Sequence, residues 1–199
     1  MYQFTLPVRQ LIEELKKIPG IGRKSAQRIC FYLMKSENQR AEHLAKAILQ
    51  AREQVFFCSI CHNLTATEPC EICSDERRDR SKICVVEEPF NIYSIEGTHL
   101  FKGLYHVLHG NLSPMKGVGP DELKISGLIK RVEQGQVKEI ILATSPTTEG
   151  NATAHYLTDI LRKYQVKLSR IALGLPIGAD LDYVDSVTIA KAIEGRIEI

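Results

Sequence analysis

CSICHNLTATEPCEIC, Cys58 to Cys73, is the stretch that decides how this chain is organised. It reads as two Cys-x₂-Cys knuckles, Cys58/Cys61 and Cys70/Cys73, separated by eight residues. Two residues between paired cysteines let one tight turn aim both sulfurs at a single centre. Two such turns supply the four soft ligands of a closed, tetrahedral zinc site. The spacer is too short to bury a core of its own, so one structural zinc per chain would hold the module together. Two disulfides fit poorly because nothing marks the chain as secreted. A redox Cys-x₂-Cys would open a helix after a strand and would not come as a matched pair. His62 reads as a surface residue of the knuckle and not as a fifth ligand.

The module divides the chain. Before it lie helical periodicities, and after it strands alternate with helices. The 199 residues are 44% hydrophobic and 25% charged, an ordinary globular composition. No apolar run reaches the length of a membrane span and the first ten residues lack a signal peptide's pattern, so a cytoplasmic protein is expected. Cys30 and Cys84, in apolar stretches, read as buried thiols. The formal net charge is +2, but residues 1–57 carry ten Lys+Arg against five Asp+Glu. The rest of the chain is slightly acidic, so an anionic partner is expected at the head.

In the head, Val8, Leu11, Ile12, Leu15 and Ile18 follow helical spacing until Pro19 and Gly20 end it. A second helix is expected over 23–35, and a third over 39–55 with Leu44, Ala45, Ile48, Ala51 and Val55 on an inner face. PGIGRKSAQR joins the first two. Gly20 and Gly22 permit a tight hairpin plugged by Ile21, and the free N–H groups opening the second helix face outward with their positive dipole end. Arg23, Lys24 and Arg28 surround that end. This layout reads as a helix-hairpin-helix that holds a nucleic-acid phosphate and reads no base. The bland alternative is a plain helical turn with solvated basic residues.

Beyond the charged connector SDERRDRSK, apolar runs predict strands at 83–89, 103–108, 137–144 and 166–174, with helices over 121–134 and 151–164. Alternation of this kind argues for a mostly parallel α/β sheet with ligands at the carboxyl ends of its strands. Glu87 and Glu88 stand at one such end and SPTTEGN (145–151) at another. The pairing resembles a Toprim domain, whose enzymes hold Mg²⁺ with a glutamate after the first strand and an Asp-x-Asp after a later one. Here Ser145 and Thr147 occupy the two aspartate positions and Asn151 the last glutamate. One glutamate from each loop is a poor cage for Mg²⁺. In the tail, Asp180, Asp182 and Asp185 read as turn and cap residues, with a last helix running to Ile193 and closed by Gly195.

PGIGRKSAQR, the four cysteines, DERRDRSKICVVEEP, GLYHVLHGNLSPMKGVGP, ILATSPTTEGNATA and GLPIGADLDYVDSVTIAKAIEGR together resemble the RecR family of bacterial recombination mediators. The resemblance covers nearly the whole chain. It implies an α+β multi-domain protein: a helix-hairpin-helix (1–57), a four-cysteine zinc finger with its connector (58–80), a Toprim-like domain (81–175) and a C-terminal assembly segment (176–199). It further implies dimers that pair into a tetrameric ring, binding to single- and double-stranded DNA, and RecO- and RecF-like partners. The family's DNA-contacting residues fall on Lys24 and Arg28, within the wider hairpin set of Gly20, Gly22 and Arg23. Its RecO-contacting glutamate falls on Glu149, with Glu87 and Glu88 beside it. Asn91, His109, Ser145 and Asn151 depart from the family's usual residues. The expected function is a non-enzymatic mediator that helps load a recombinase at single-stranded gaps. The competing expectation, a Mg²⁺-dependent Toprim nuclease, primase or topoisomerase, suffers from the missing Asp-x-Asp.

Overall fold

The computed structural model describes residues 4–197. The chain divides into two compact units between Val55 and Phe56, each described by itself.

The first unit holds three helices: α1 (Leu6–Lys16), α2 (Arg23–Lys35) and α3 (Asn38–Gln54). Pro7 pre-sets the first turn of α1, where its missing N–H costs nothing. Ile12, Ala26 and Cys30 form the small core between α1 and α2, with Val8, Leu11, Leu15 and Ile21 packed around it. Ile21 plugs the hairpin as its position predicts. The inner face expected for α3 is a correction: no residue of that helix is buried, and Ile48 is 60% exposed. Periodicity places Leu44, Ile48 and Ala51 on one stripe but says nothing of what covers it.

The second unit opens with the short antiparallel pair β1 (Phe56–Phe57) and β2 (Leu64–Thr65), followed by one helical turn, α4 (Glu71–Ser74). A four-stranded parallel sheet follows, from β3 (Asp79–Val86), β4 (Gly103–Val107), β5 (Glu139–Leu142) and β6 (Lys167–Arg170). Its order is β4-β3-β5-β6. Helices α5 (Pro89–Glu96), α6 (Ile125–Glu133) and α7 (Thr148–Leu161) connect the strands, and α8 (Ser186–Glu194) ends the chain.

The expected α/β alternation is observed, with shifted limits. The charged connector is half strand: Asp79 to Lys82 already belong to β3, since backbone pairing and not hydrophobicity starts it. The helix expected over 121–134 is split by extended backbone at Leu123 into a 3₁₀ turn at Pro120–Glu122 and an α-helix from Ile125. The helix expected from 151 starts at Thr148, because the Thr147 hydroxyl caps it by accepting the Gly150 N–H at 3.1 Å. Asp185 caps α8 through the N–H groups of Val187 and Thr188.

Two apolar layers flank the sheet. Ile83, Val85, Ile140 and Leu142 meet Leu128, Leu157 and Leu161 on one face, and Cys84, Val86, Tyr105 and Val107 meet Ile92 on the other. Both lone cysteines are buried as expected. Desolvation pushes the Cys84 thiol up to about 12, so it stays protonated. Ile72, between the last two knuckle cysteines, packs against both layers and against the cysteine cluster. The zinc module is thereby a continuation of the α/β core. Among the described residues no helix is long and apolar enough to cross a membrane.

Candidate functional site

The two knuckles converge. One ligand sulfur from each of Cys58, Cys61, Cys70 and Cys73 lies within 4.8 Å of the others, and all four residues are buried. Cys61 Sγ and Cys70 Sγ stand 3.5 Å apart. Zn–S bonds of about 2.3 Å give a tetrahedron with edges of about 3.8 Å, so this donor set fits one structural zinc. Cys58, Cys61, Cys70 and Cys73 hold it, and four protein ligands leave no open position for chemistry. Local hydrogen bonds shape the first knuckle: Cys58 N–H donates to Asn63 O at 2.8 Å and His62 N–H to Cys58 O at 2.9 Å. Glu68 ties the spacer back by accepting from the Ser59 hydroxyl at 2.6 Å.

The knuckle is bolted to the edge strand β4. Val107 N–H donates to Cys61 O at 2.8 Å, and His109 Nε2–H donates to His62 O at 2.8 Å. His62 is half-buried, less open than its position suggests, and is not one of the converging ligands. Its backbone is left-handed, with φ of 62°, and its ring meets that of His106 edge-to-face with centroids 5.2 Å apart. His106 is fully buried, and its Nε2–H donates to Lys124 O at 2.8 Å. That fixes the tautomer and leaves Nδ1 to accept from Arg131 Nη1 at 3.4 Å. Desolvation pulls His106 down to about 3, so it is neutral at any ordinary pH.

Arg131 donates to Tyr105 O at 2.6 Å and has no carboxylate partner among the described residues. Burial lowers its pKa, and the four cysteine sulfurs oppose that shift. Arg80 reaches Cys73 O at 3.4 Å. Two guanidinium groups thus stand beside a tetrathiolate whose zinc complex is anionic. Sequence reading missed this bracket of His62, His106, His109 and Arg131. Its only trace was three histidines in a chain with six.

At the carboxyl end of the sheet the expected acidic rim is reduced. Glu87 is only 8% exposed, and its carboxylate accepts the Ser145 N–H at 3.0 Å and the Ser145 hydroxyl at 2.7 Å. Gly150 makes this closure possible, since a Cβ there would come within 2.1 Å of Ser145 O. Glu88 opens α5, its N–H donating to Asn91 Oδ1 at 2.8 Å. Asn151 accepts from Arg170 Nη2 at 2.6 Å. All four departures from the family pattern, Asn91, His109, Ser145 and Asn151, therefore have a structural partner. Glu149, in the first turn of α7, is half-buried and its carboxylate has no ion pair among the described residues.

In the first unit, the hairpin is as its glycines predict. Gly20 takes φ of +82°, the left-handed value that turns the chain out of α1. Gly22 is the N-cap of α2 and offers no side chain to the first-turn N–H groups. A Cβ at Gly22 would meet nothing within 4 Å, so the backbone there is open to approach. Arg23, Lys24 and Arg28 are all exposed around it.

Family models match the chain in series: a RecR helix-hairpin-helix at residues 8–52, a RecR four-cysteine zinc finger domain at 55–75, a Toprim domain at 81–172 and a RecR C-terminal segment at 174–197. Among curated relatives, "Recombination protein RecR" of Koribacter versatilis is 53% identical, with each chain covered in full. The proteins of that name from Acidobacterium capsulatum and Pelotomaculum thermopropionicum are 52% and 51% identical over the same full length. A zinc-built knuckle welded to a Toprim sheet, preceded by an open helical hairpin, thus carries full-length identity of about half, and the chain belongs to the RecR family.

Proposed function

We propose that the protein is a non-enzymatic DNA-binding mediator of recombinational repair, acting at single-stranded gaps as a homo-oligomer that docks RecO- and RecF-like partners. The observation that carries this reading is the open hairpin at Pro19–Gly22. Its uncapped helix end and the exposed Lys24 and Arg28 present amides and cations to phosphate and nothing to base edges. Gly20 and Gly22 shape the turn, and Arg23 adds charge at its rim.

Self-assembly is supported by apolar surface left uncovered in a single chain. Leu44, Ile48 and Leu49 are exposed on α3, and Ile177, Leu181, Tyr183 and Val187 in the tail. Two such faces per chain suit dimers that pair into a tetrameric ring. Because Glu87 is occupied by Ser145, the acid offered to a basic partner is Glu149, with Glu88 at its side. The same occupation supports an adaptor over a Mg²⁺-dependent enzyme, since the loop following β5 has a serine and a threonine where carboxylates would be required. The setting is the cytoplasm, at the nucleoid when DNA is bound.

The test titrates wild type and the Lys24→Ala, Arg28→Ala double variant against a gapped duplex at several salt concentrations. Affinity and salt slope are expected to fall together in the variant, with its mass by light scattering unchanged. Equal binding by the two proteins refutes the hairpin as the DNA surface.

A further inference from the structure

The hairpin uses only the first turn of α2. The rest of that helix has a composition the phosphate grip does not explain. Over its thirteen residues, RKSAQRICFYLMK, it carries Arg23, Lys24, Arg28 and Lys35 and no carboxylate. Lys24, Arg28 and Lys35 recur at helical spacing, and none has an ion pair among the described residues. Two aromatic rings interrupt this charged stripe in its middle, Phe31 at 42% and Tyr32 at 54% exposed. An open groove of about 590 Å³ runs there, between Arg28 and Lys35 along the two rings.

The rings are held. Phe4 meets Phe31 edge-to-face at 5.5 Å. Arg40 Nη1 donates to the Tyr32 hydroxyl, and its guanidinium lies 5.7 Å from the Tyr32 centroid. A fixed, half-exposed ring between cations, without a neighbouring carboxylate on its own helix, suits a ligand with flat π-faces strung on a negative backbone. Single-stranded nucleic acid has that chemistry, because its unpaired bases stack on aromatic side chains while lysines and arginines follow the phosphates. Duplex DNA does not, since its bases are already stacked inside.

We propose that the α2 face from Arg28 to Lys35, centred on Tyr32, is a stacking site for single-stranded DNA, continuous with the phosphate grip at Gly22. One helix then meets both sides of a gap junction, duplex phosphates at its start and unpaired bases along its length. The proposal deepens the DNA-binding reading and rests on it.

The test uses the full-length protein at a fixed salt concentration, with a fluorescent oligo-dT and a duplex of equal length as probes. Tyr32→Ala should lower oligo-dT affinity about 5- to 150-fold, the range for losing one base–aromatic stack, and leave duplex affinity unchanged. Tyr32→Phe keeps the ring and should bind oligo-dT like wild type. The chain has no tryptophan, so Tyr32→Trp is also a single reporter, whose emission should be quenched by oligo-dT and not by duplex. The Lys24→Ala, Arg28→Ala variant should weaken on both probes. Wild-type oligo-dT affinity in Tyr32→Ala overturns the stacking site and leaves the hairpin reading standing. Loss of both DNAs together with a changed mass by light scattering also overturns it, the face then being a contact between copies of the chain. Duplex binding that survives in the Lys24, Arg28 variant while Tyr32→Ala loses oligo-dT overturns the hairpin reading alone.

Discussion

The Glu87 carboxylate accepts two hydrogen bonds from one residue, Ser145, through its backbone N–H and its hydroxyl, at 3.0 and 2.7 Å. The two residues follow neighbouring strands of the sheet, β3 and β5, and the contact joins the two loops at its carboxyl end. A buried carboxylate matched in this way is a structural element. Glu87→Gln puts an amide in place of one acceptor oxygen, facing the Ser145 donors. It should lower unfolding free energy by about 1–3 kcal/mol in urea titration. Ser145→Ala removes only the hydroxyl bond and should cost about 0.5–1.5 kcal/mol. The reverse order would show that the loop, not the acid, sets this geometry.

Zinc removal should loosen more than the knuckle. Ile72 joins the cysteine cluster to both apolar layers of the sheet, and Cys61 O accepts the Val107 N–H of the edge strand. Chelation, or Cys61→Ser, should therefore speed hydrogen exchange along β4 as well as in residues 56–75, and lower the thermal midpoint. Elemental analysis of gently purified protein should give one zinc per chain. Exchange confined to the knuckle would mean that the Val107 contact is incidental.

Acid should weaken the fold through His106. Its folded pKa of about 3 lies below the ordinary value near 6.5, so the unfolded chain takes up a proton that the folded chain refuses. The stability contributed is complete above about pH 6.5 and is lost as pH falls towards 3, at about 1.4 kcal/mol per pH unit. Urea titrations between pH 7.5 and 5.5, with zinc in excess, should show the onset of this loss, about 1.4 kcal/mol over the two pH units. His106→Gln, which keeps a donor for Lys124 O, should be less stable at pH 7.5 and show a slope shallower by one proton. An unchanged slope in that variant would assign the acid sensitivity to another group.

Glu149→Lys should weaken binding of a basic RecO-like partner without altering zinc content or mass in solution. Glu149 stands unpaired in the first turn of α7, so reversing its charge disturbs no ion pair among the described residues. Surface plasmon resonance with the immobilised partner measures this, and Glu87→Gln serves as the contrast: its carboxylate is buried, so partner affinity should hold. Equal partner affinity in wild type and Glu149→Lys would move the docking surface away from this end of the sheet.

Much of the molecule was legible from residue order because its causes are local. Cys-x₂-Cys can aim two sulfurs only at one centre, Pro-Gly-Ile-Gly can only turn, and apolar runs punctuated by glycine and proline announce a parallel sheet. The tertiary structure decided what depends on residues far apart in the chain. Ser145 reaches Glu87 across 58 positions and His109 reaches His62 across 47. Until the fold closes, Glu87 reads as a free acid and His62 as a surface residue. Burial corrects the first, because a desolvated carboxylate must find partners that only the packed sheet supplies, and packing against the His106 and His109 rings half-buries the second. Helix α3 shows the converse: its amphipathic spacing was plain in the sequence, yet no residue of the helix is buried. Periodicity states which residues share a face, whereas which surface that face meets is fixed by packing alone.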